Sequence, residues 1–298
     1  MPKKLMSSFA EYPIQLQALN PQHASRGAFR CFRPKLLADV VDAIWDWDVP
    51  EEFIAKSLTI KQAPGTSLLL MAKYRSEVRA RHLNKVLPLK WATQIQEGTL
   101  CLQPSGALGA IVVCLRPESA SRIVGAFLRE FGNTAVDLRD LFPSSSVSTC
   151  EELLATARTS SERIELVESA LFHRLRPQLD LTAQHAAFIL RSDPTIPLHR
   201  LASELDVSER QLSRTFNRTF GLGLKRFARL TRIERIVALR HTGLSWAEVA
   251  YATDMSDQAH LVKEFKSIVG ETPLHFFGQG RDSNFVIMRG ANFVVQRR

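Results

Sequence analysis

The chain has 298 residues, 45% hydrophobic and 23% charged, a size that favours two domains with separate cores and a balance that excludes a disordered polymer. Its longest apolar runs, such as Ala110–Leu115, are strand-sized, well short of the roughly 18 residues of a membrane span. The net charge of +9 is unevenly spread: residues 1–179 carry 22 basic against 18 acidic side chains, whereas 207–241 carry nine basic against two acidic ones.

From the N-terminus, Met1 to Phe9 holds two lysines with no long apolar core behind them, so a secretory signal is not expected and the chain reads as cytoplasmic. Cys31, Cys101, Cys114 and Cys150 show no C-x-x-C spacing and read as reduced thiols, with no metal or cofactor implied. Trp45 and Trp47 alternate with Asp46 and Asp48. That pattern fits either the lining of a pocket or interface, or a half-buried strand or helix end. Alternation and β-branched content predict strands near Ser57–Gln62, Ser67–Arg75, Val78–Leu83, Ala92–Gln96, Thr99–Gln103 and Leu108–Leu115. Predicted helices follow at Pro117–Phe131, Leu138–Leu141 and Glu151–Ala157, with 143–149 as a polar loop. Ser160 or Ser161 caps the next helix, through Leu175, and Thr182–Arg191 forms another. The expected architecture is an α+β N-terminal domain over residues 1–178, an antiparallel sheet with helices behind it.

The last third contains an internal repeat. Leu201-Ala202, Leu205-Asp206-Val207-Ser208, Leu212, Phe216 and Gly221 match Val249-Ala250, Thr253-Asp254-Met255-Ser256, Leu261, Phe265 and Gly270. The offset is 48 residues before Ser256 and 49 after it, an insertion of one residue. Each copy reads as helix, tight turn, helix. In the first, Pro197 suits a first helical position, Leu198, Leu201, Ala202 and Leu205 form one apolar stripe, and Asp206 tolerates the reversal. Ser208 with Gln211 makes a capping box, and Gly221 ends the second helix. In the second, Ser245 with Glu248 is another capping box, Ser256 is the expected cap of the last helix, and Gly270 ends it. This is the grammar of the helix-turn-helix, whose second helix enters the DNA major groove. Between the copies, Leu224 to Thr242 reads as one helix stopped by Gly243. Its Arg226, Arg229, Arg232 and Arg235 recur every three residues, on the surface left by the apolar positions. That basic stretch fits either a polyanion site or a solvated helix face.

These residues, with Asp257-Gln258-Ala259-His260, Phe265-Lys266, Gly270 and Thr272-Pro273, resemble the signature of the AraC/XylS family of transcription regulators. The resemblance covers 193–277 and implies an all-α DNA-binding domain, bounded at 179–277, with two helix-turn-helix motifs joined by a long helix. It departs from the family at Asp206 and Asp254, where Gly is usual, and at Leu261, where an aromatic is common. The segment 103–117 resembles an uncharacterised domain found ahead of such modules. His23 and His82 do not form the H-x-H pair of a metal cupin. Residues 278–298 extend past the family module, with Phe285–Ile287 and Phe293–Val295 suited to a small hairpin.

The resemblance places Arg210, Ser213 and Arg214 at base-contacting positions, with Gln258, Ala259, Val262 and Lys263 at the matching places of the second motif. Arginine pairs bidentately with guanine O6 and N7, which favours Arg214 and Arg210 as readers; contact with phosphate alone is the other reading. Ala259 and Val262 suit only a thymine methyl, and 242–275 has two basic against five acidic side chains, so the first motif is expected to supply most of the affinity. Arg218, Lys225, Arg226, Arg229 and Lys266 are the expected phosphate contacts. His260 fits packing or capping better than a ligand role. The resemblance implies a sequence-specific regulator of promoter DNA, an activator that touches RNA polymerase, controlled through its N-terminal domain by a small molecule, a protein partner or a second copy in a homodimer. Two other classes stand beside it: a DNA-repair type enzyme fused to the module, or a non-specific architectural binder. No catalytic residue and no membrane contact is expected.

Overall fold

The computed structural model describes residues 29–34, 36–51, 59–75, 78–80, 85–86, 90–93, 95–125, 136–177, 181–277, 285–289 and 292–296. The strands are β1 (Phe29–Phe32), β2 (Val41–Val49), β3 (Thr59–Gln62), β4 (Leu68–Arg75), β5 (Val78–Ala80), β6 (Lys85–Val86), β7 (Lys90–Thr93), β8 (Leu100–Pro104), β9 (Leu108–Leu115), β10 (Val136–Asp137), β11 (Phe285–Arg289) and β12 (Asn292–Gln296). They form two six-stranded sheets, ordered β1-β2-β9-β4-β7-β10 and β12-β11-β3-β8-β5-β6. Trp45, Trp47, Leu69, Met71, Trp91 and Val112 of the first sheet meet Ile60, Leu100 and Leu102 of the second in one buried cluster. On the first sheet's other face, Ile44, Leu70, Ile111 and Val113 pack with the helices. The helices are therefore behind one sheet, as predicted, and a second sheet covers its front.

Strand β2 shows why the tryptophan alternation was ambiguous. Seven of its nine residues are buried, because β2 lies between β1 and β9 and both of its faces are covered. A strand covered on both faces loses the apolar–polar alternation of a half-exposed one. Asp46 is buried too, and is held there by Arg163. Smaller shifts affect other strands: β7 starts at Lys90 rather than Ala92, and β5 is Val78–Ala80 with 81–84 outside the described residues.

The first helices are α1 (Ser121–Val124), α2 (Leu138–Leu141), α3 (Ser144–Thr156) and α4 (Ser160–Phe172). Helix α1 does not run on towards Phe131, because Gly125 at φ 70° closes it with its N–H on Ser121 O; residues 126–135 lie outside the described set. The predicted polar loop 143–149 is instead the start of α3. Its serines take the first turn behind Pro143, and Val147 and Leu154, seven apart on one face, are buried. Burial outweighs the weak helix propensity of serine here. The cap of α4 is Thr159, one residue before the expected serines, in a complete capping box with Glu162. Ser160 is instead buried and accepts a bond from Arg30 at 2.9 Å.

Helix α5 (Leu181–Ser192) leads to α6 (Leu198–Glu204), α7 (Glu209–Phe220), α8 (Leu224–His241), α9 (Trp246–Ala252), α10 (Gln258–Val269) and α11 (Pro273–Phe276). Pro197 is the cap of α6 rather than its first residue. Arg191 of α5 is bound by Glu118 (2.8 Å) and Asp42 (2.8 Å) of the sheet domain. The apolar cluster behind the first sheet is continuous through Ala186 and Leu190 of α5 into α7, α8 and α10. The tail forms the predicted hairpin, β11 with β12, and β11 also pairs with β3 in parallel.

Candidate nucleic-acid interface

The two copies of the repeat become two helix-turn-helix units. In the first, α6 reverses at Asp206, φ 52°, and the Val207 N–H returns to Ala202 O at 3.1 Å. In the second, α9 reverses at Asp254, φ 55°, and the Met255 N–H returns to Ala250 O at 3.0 Å. These two aspartates are the non-glycine residues at positive φ among the described residues, and they stand where a glycine would be free of strain. Offset 48 thus relates the two turns bond for bond.

The second helices of the two units, α7 and α10, follow. Ser208 caps α7 through the Gln211 N–H at 3.2 Å, and Gly221 closes it at φ 75°. Only the Ser208 half of the expected box forms, which leaves the Gln211 side chain exposed on the first turn. The cap of α10 is Asp257, accepting the His260 N–H at 2.7 Å, not Ser256. Offset 49 relates Ser208 to Asp257, so the inserted residue lengthens the turn and moves the cap by one. His260 Nδ1 lies 3.2 Å from Ser256 Oγ, a capping role of the bland kind. Gly270 ends α10 at φ 90°.

Leu212, Phe216 and Phe220 are buried on the inner face of α7, with Phe216 4.6 Å from Phe220 and 5.3 Å from Phe227 of α8, ring centre to ring centre. Opposite them Arg210, Gln211, Ser213, Arg214, Asn217 and Arg218 are exposed. On α10, Leu261 and Phe265 are buried, Gln258, Ala259 and Lys263 are exposed, and Val262 is half-buried. Lys225 and Lys266 are exposed as well. Packing therefore turns the candidate base-reading side chains outward on both helices. Gln211 is the position sequence reasoning missed, since the capping box assigned its amide elsewhere.

Helix α8 differs from its expected role. Phe227, Leu230, Ile233, Ile236 and Val237 are buried, and the arginines between them are half-buried rather than a solvated face. Arg226 binds Glu97 of the sheet domain, Nε to Oε2 at 2.8 Å. Arg229 grips Glu264 of α10 with two bonds (2.7 and 3.1 Å) and donates to Ser267 Oγ. Burial opposes ionisation of the Glu264 carboxyl, yet Arg229 holds it below the usual range, and that hydrogen bond raises the Arg229 guanidinium in turn. Arg235 donates to the carbonyls of Ser192 and Arg191 at the end of α5. The arginine period encodes a scaffold that joins α5, α8 and α10, with Arg226 turned towards the sheet domain.

Burial pushes the Cys31 thiol up to about 12, against the pull of Arg33, and raises Cys114 and Cys150 as well. These three stay protonated near neutral pH, which makes them poor nucleophiles. Among the described residues no helix is long and apolar enough to cross a membrane.

A helix-turn-helix domain model matches residues 201–279, and no curated protein matches the sequence. Among solved structures, the chain is similar to an apo form of ToxT from Vibrio cholerae, at 12% identity and TM-score 0.47 over 78% of this chain and 95% of that one. It is also similar to the C-terminal domain of AraT, a response regulator from Geobacillus stearothermophilus, at 22% identity and TM-score 0.32 over 34% and 86%. The C-terminal domain of the two-component response regulator yesN from Fusobacterium nucleatum aligns at 25% identity and TM-score 0.29 over 32% and 94%. The chain therefore carries a helix-turn-helix domain over residues 201–279, which span both structural repeats.

Proposed function

We propose that this protein is a cytoplasmic activator that reads promoter DNA with α7 and α10 in successive major grooves, contacts RNA polymerase there, and takes its signal through residues 1–178. Residues 179–277 are the DNA-binding unit in this reading. The observation that carries it is the pair of capped recognition helices, each with a buried apolar face and an exposed polar one, fixed to a single helix, α8. Two such helices read one face of a duplex when about 34 Å apart. Arg214 and Arg210 are the principal readers, supported by Gln211 and Ser213. Gln258, Ala259, Val262 and Lys263 form the weaker second head, and Arg218, Lys225 and Lys266 track phosphates. Arg226 and Arg229 join them only if Glu97 and Glu264 let go.

Replacing Arg214 by Ala is expected to weaken binding to the preferred duplex by about 1–3 kcal/mol and to relax preference at one base pair. The measurement is an affinity titration against duplexes with each base pair substituted in turn. An equal loss on every sequence would show that Arg214 touches phosphate alone.

A small-molecule signal is favoured by polar atoms buried between the sheets. Trp91 Nε1, Gln62 Oε1 and Thr93 Oγ1 are buried there with no hydrogen-bond partner among the described residues. Buried polar atoms of this kind are ordinarily satisfied, and a polar, flat molecule among these groups would satisfy them. Its binding is expected to raise the melting temperature in a saturable way; a Trp91→Phe protein that responds identically to the same molecule would place the site elsewhere.

A further inference from the structure

We infer that the free edge of β3 is a docking edge for this chain's own C-terminal strand. Seated there, β11 straps the DNA-binding helices to the sheet domain in a closed form that opens for full DNA binding. The DNA part of this inference rests on the function proposed above.

Strand β3 pairs with β8 along one edge, antiparallel. Its other edge takes β11 in parallel, Phe285 opposite Thr59 and Met288 opposite Gln62. All other strand pairs among the described residues are antiparallel. Without the tail, β3 would be an edge strand among the described residues, a position that folded proteins protect. The chain leaves α11 beside its target: Lys61 of β3 binds Glu271 at 3.0 Å and lies 5.5 Å from the Phe276 ring centre.

The C-terminal end of β3 and the start of β8 hold α8 and α10. After β3, the turn at Gly65-Thr66 receives the buried carboxylate of Glu234: Thr66 donates its N–H at 2.8 Å and its hydroxyl at 3.0 Å. Gly65 makes room for it, because a Cβ there would lie 2.5 Å from Glu234 Oε1. Next to this turn, Thr99 Oγ1 donates to Val269 O at 3.1 Å, and Glu97 holds Arg226. Phosphate and Glu97 therefore compete for one guanidinium. While the strap is closed, that cation is withheld from DNA.

The test compares the full chain with a protein ending at residue 280. Loss of the strap should speed amide exchange at Thr66 and tighten binding to a random-sequence duplex several-fold. It should also steepen the salt dependence by about one phosphate, close to 0.9 in the log–log slope. A second protein, with Thr59→Cys and Phe285→Cys oxidised to a cross-link at the paired positions, should bind more weakly until reduced. Unchanged exchange and unchanged affinity in both proteins would overturn the inference. So would a full-length dimer that falls apart on truncation, because the strand would then be traded between copies. Faster exchange at Thr66 with no DNA binding by either protein would uphold the strap and refute the DNA-binding reading instead.

Discussion

Replacing Arg163 by Leu is expected to destabilise the sheet domain by about 3–5 kcal/mol, as read from urea unfolding. Asp46 sits in the middle of β2 at 0% exposure. Its Oδ2 accepts from Arg163 Nε at 3.1 Å and Nη2 at 2.9 Å, and its Oδ1 accepts from the Tyr74 hydroxyl at 2.8 Å. Arg163 comes from α4 and stacks 4.7 Å from the Tyr74 ring centre, so one guanidinium ties helix to sheet. Burial, then the charge of Asp46, pushes the Tyr74 phenol up, which keeps it a donor at any physiological pH. Without Arg163 the carboxylate keeps only the Tyr74 hydroxyl against the cost of its desolvation. Replacing both partners by apolar residues of similar size is expected to recover most of the loss, because a dry, well-packed pair costs less than a lone buried charge. A loss under about 1 kcal/mol for the single change would mean that water reaches Asp46 and that the pair is not what fastens α4.

The second large effect is expected at the other end of the chain. Phe216→Ala should cost about 3–5 kcal/mol, the range for a fully buried phenylalanine. The ring is at 0% exposure between α7 and α8, in contact with Phe220 and Phe227. Its loss opens a cavity under the helix that carries Arg210 and Arg214, so the first motif should lose binding well before the second. The check pairs thermal unfolding with footprinting. Protection lost under both motifs equally, with the melting temperature unchanged, would contradict this packing account.

What was legible in the sequence was local. The turns at Asp206 and Asp254, the capping box of Ser245 with Glu248 and the stops at Gly221 and Gly270 are decided within a few residues, and their periodicity exposed the repeat. The misreadings have nonlocal causes. Strand β2 is covered on one face by the helices and on the other by the second sheet, so its tryptophan–aspartate alternation does not mark an exposed face. Helix α3 begins in a serine run that only the burial of Val147 and Leu154 makes helical. The hairpin of the tail was predicted, but its seat on β3 was not, because nothing in Phe285–Arg289 names Thr59–Gln62 as its partner. For the site, the outward faces of α7 and α10 followed from helical spacing. The fates of Arg226 and Arg229 did not, since Glu97 and Glu264 are distant in sequence.

The most direct test of two-headed reading is selection of bound duplexes from a random pool by the full-length protein at near-physiological salt, followed by footprinting of the selected sequence. The account predicts two protected patches about one helical turn apart, with the more strongly selected one under α7. A single patch, or protein that retains duplexes without enriching any sequence, would contradict it.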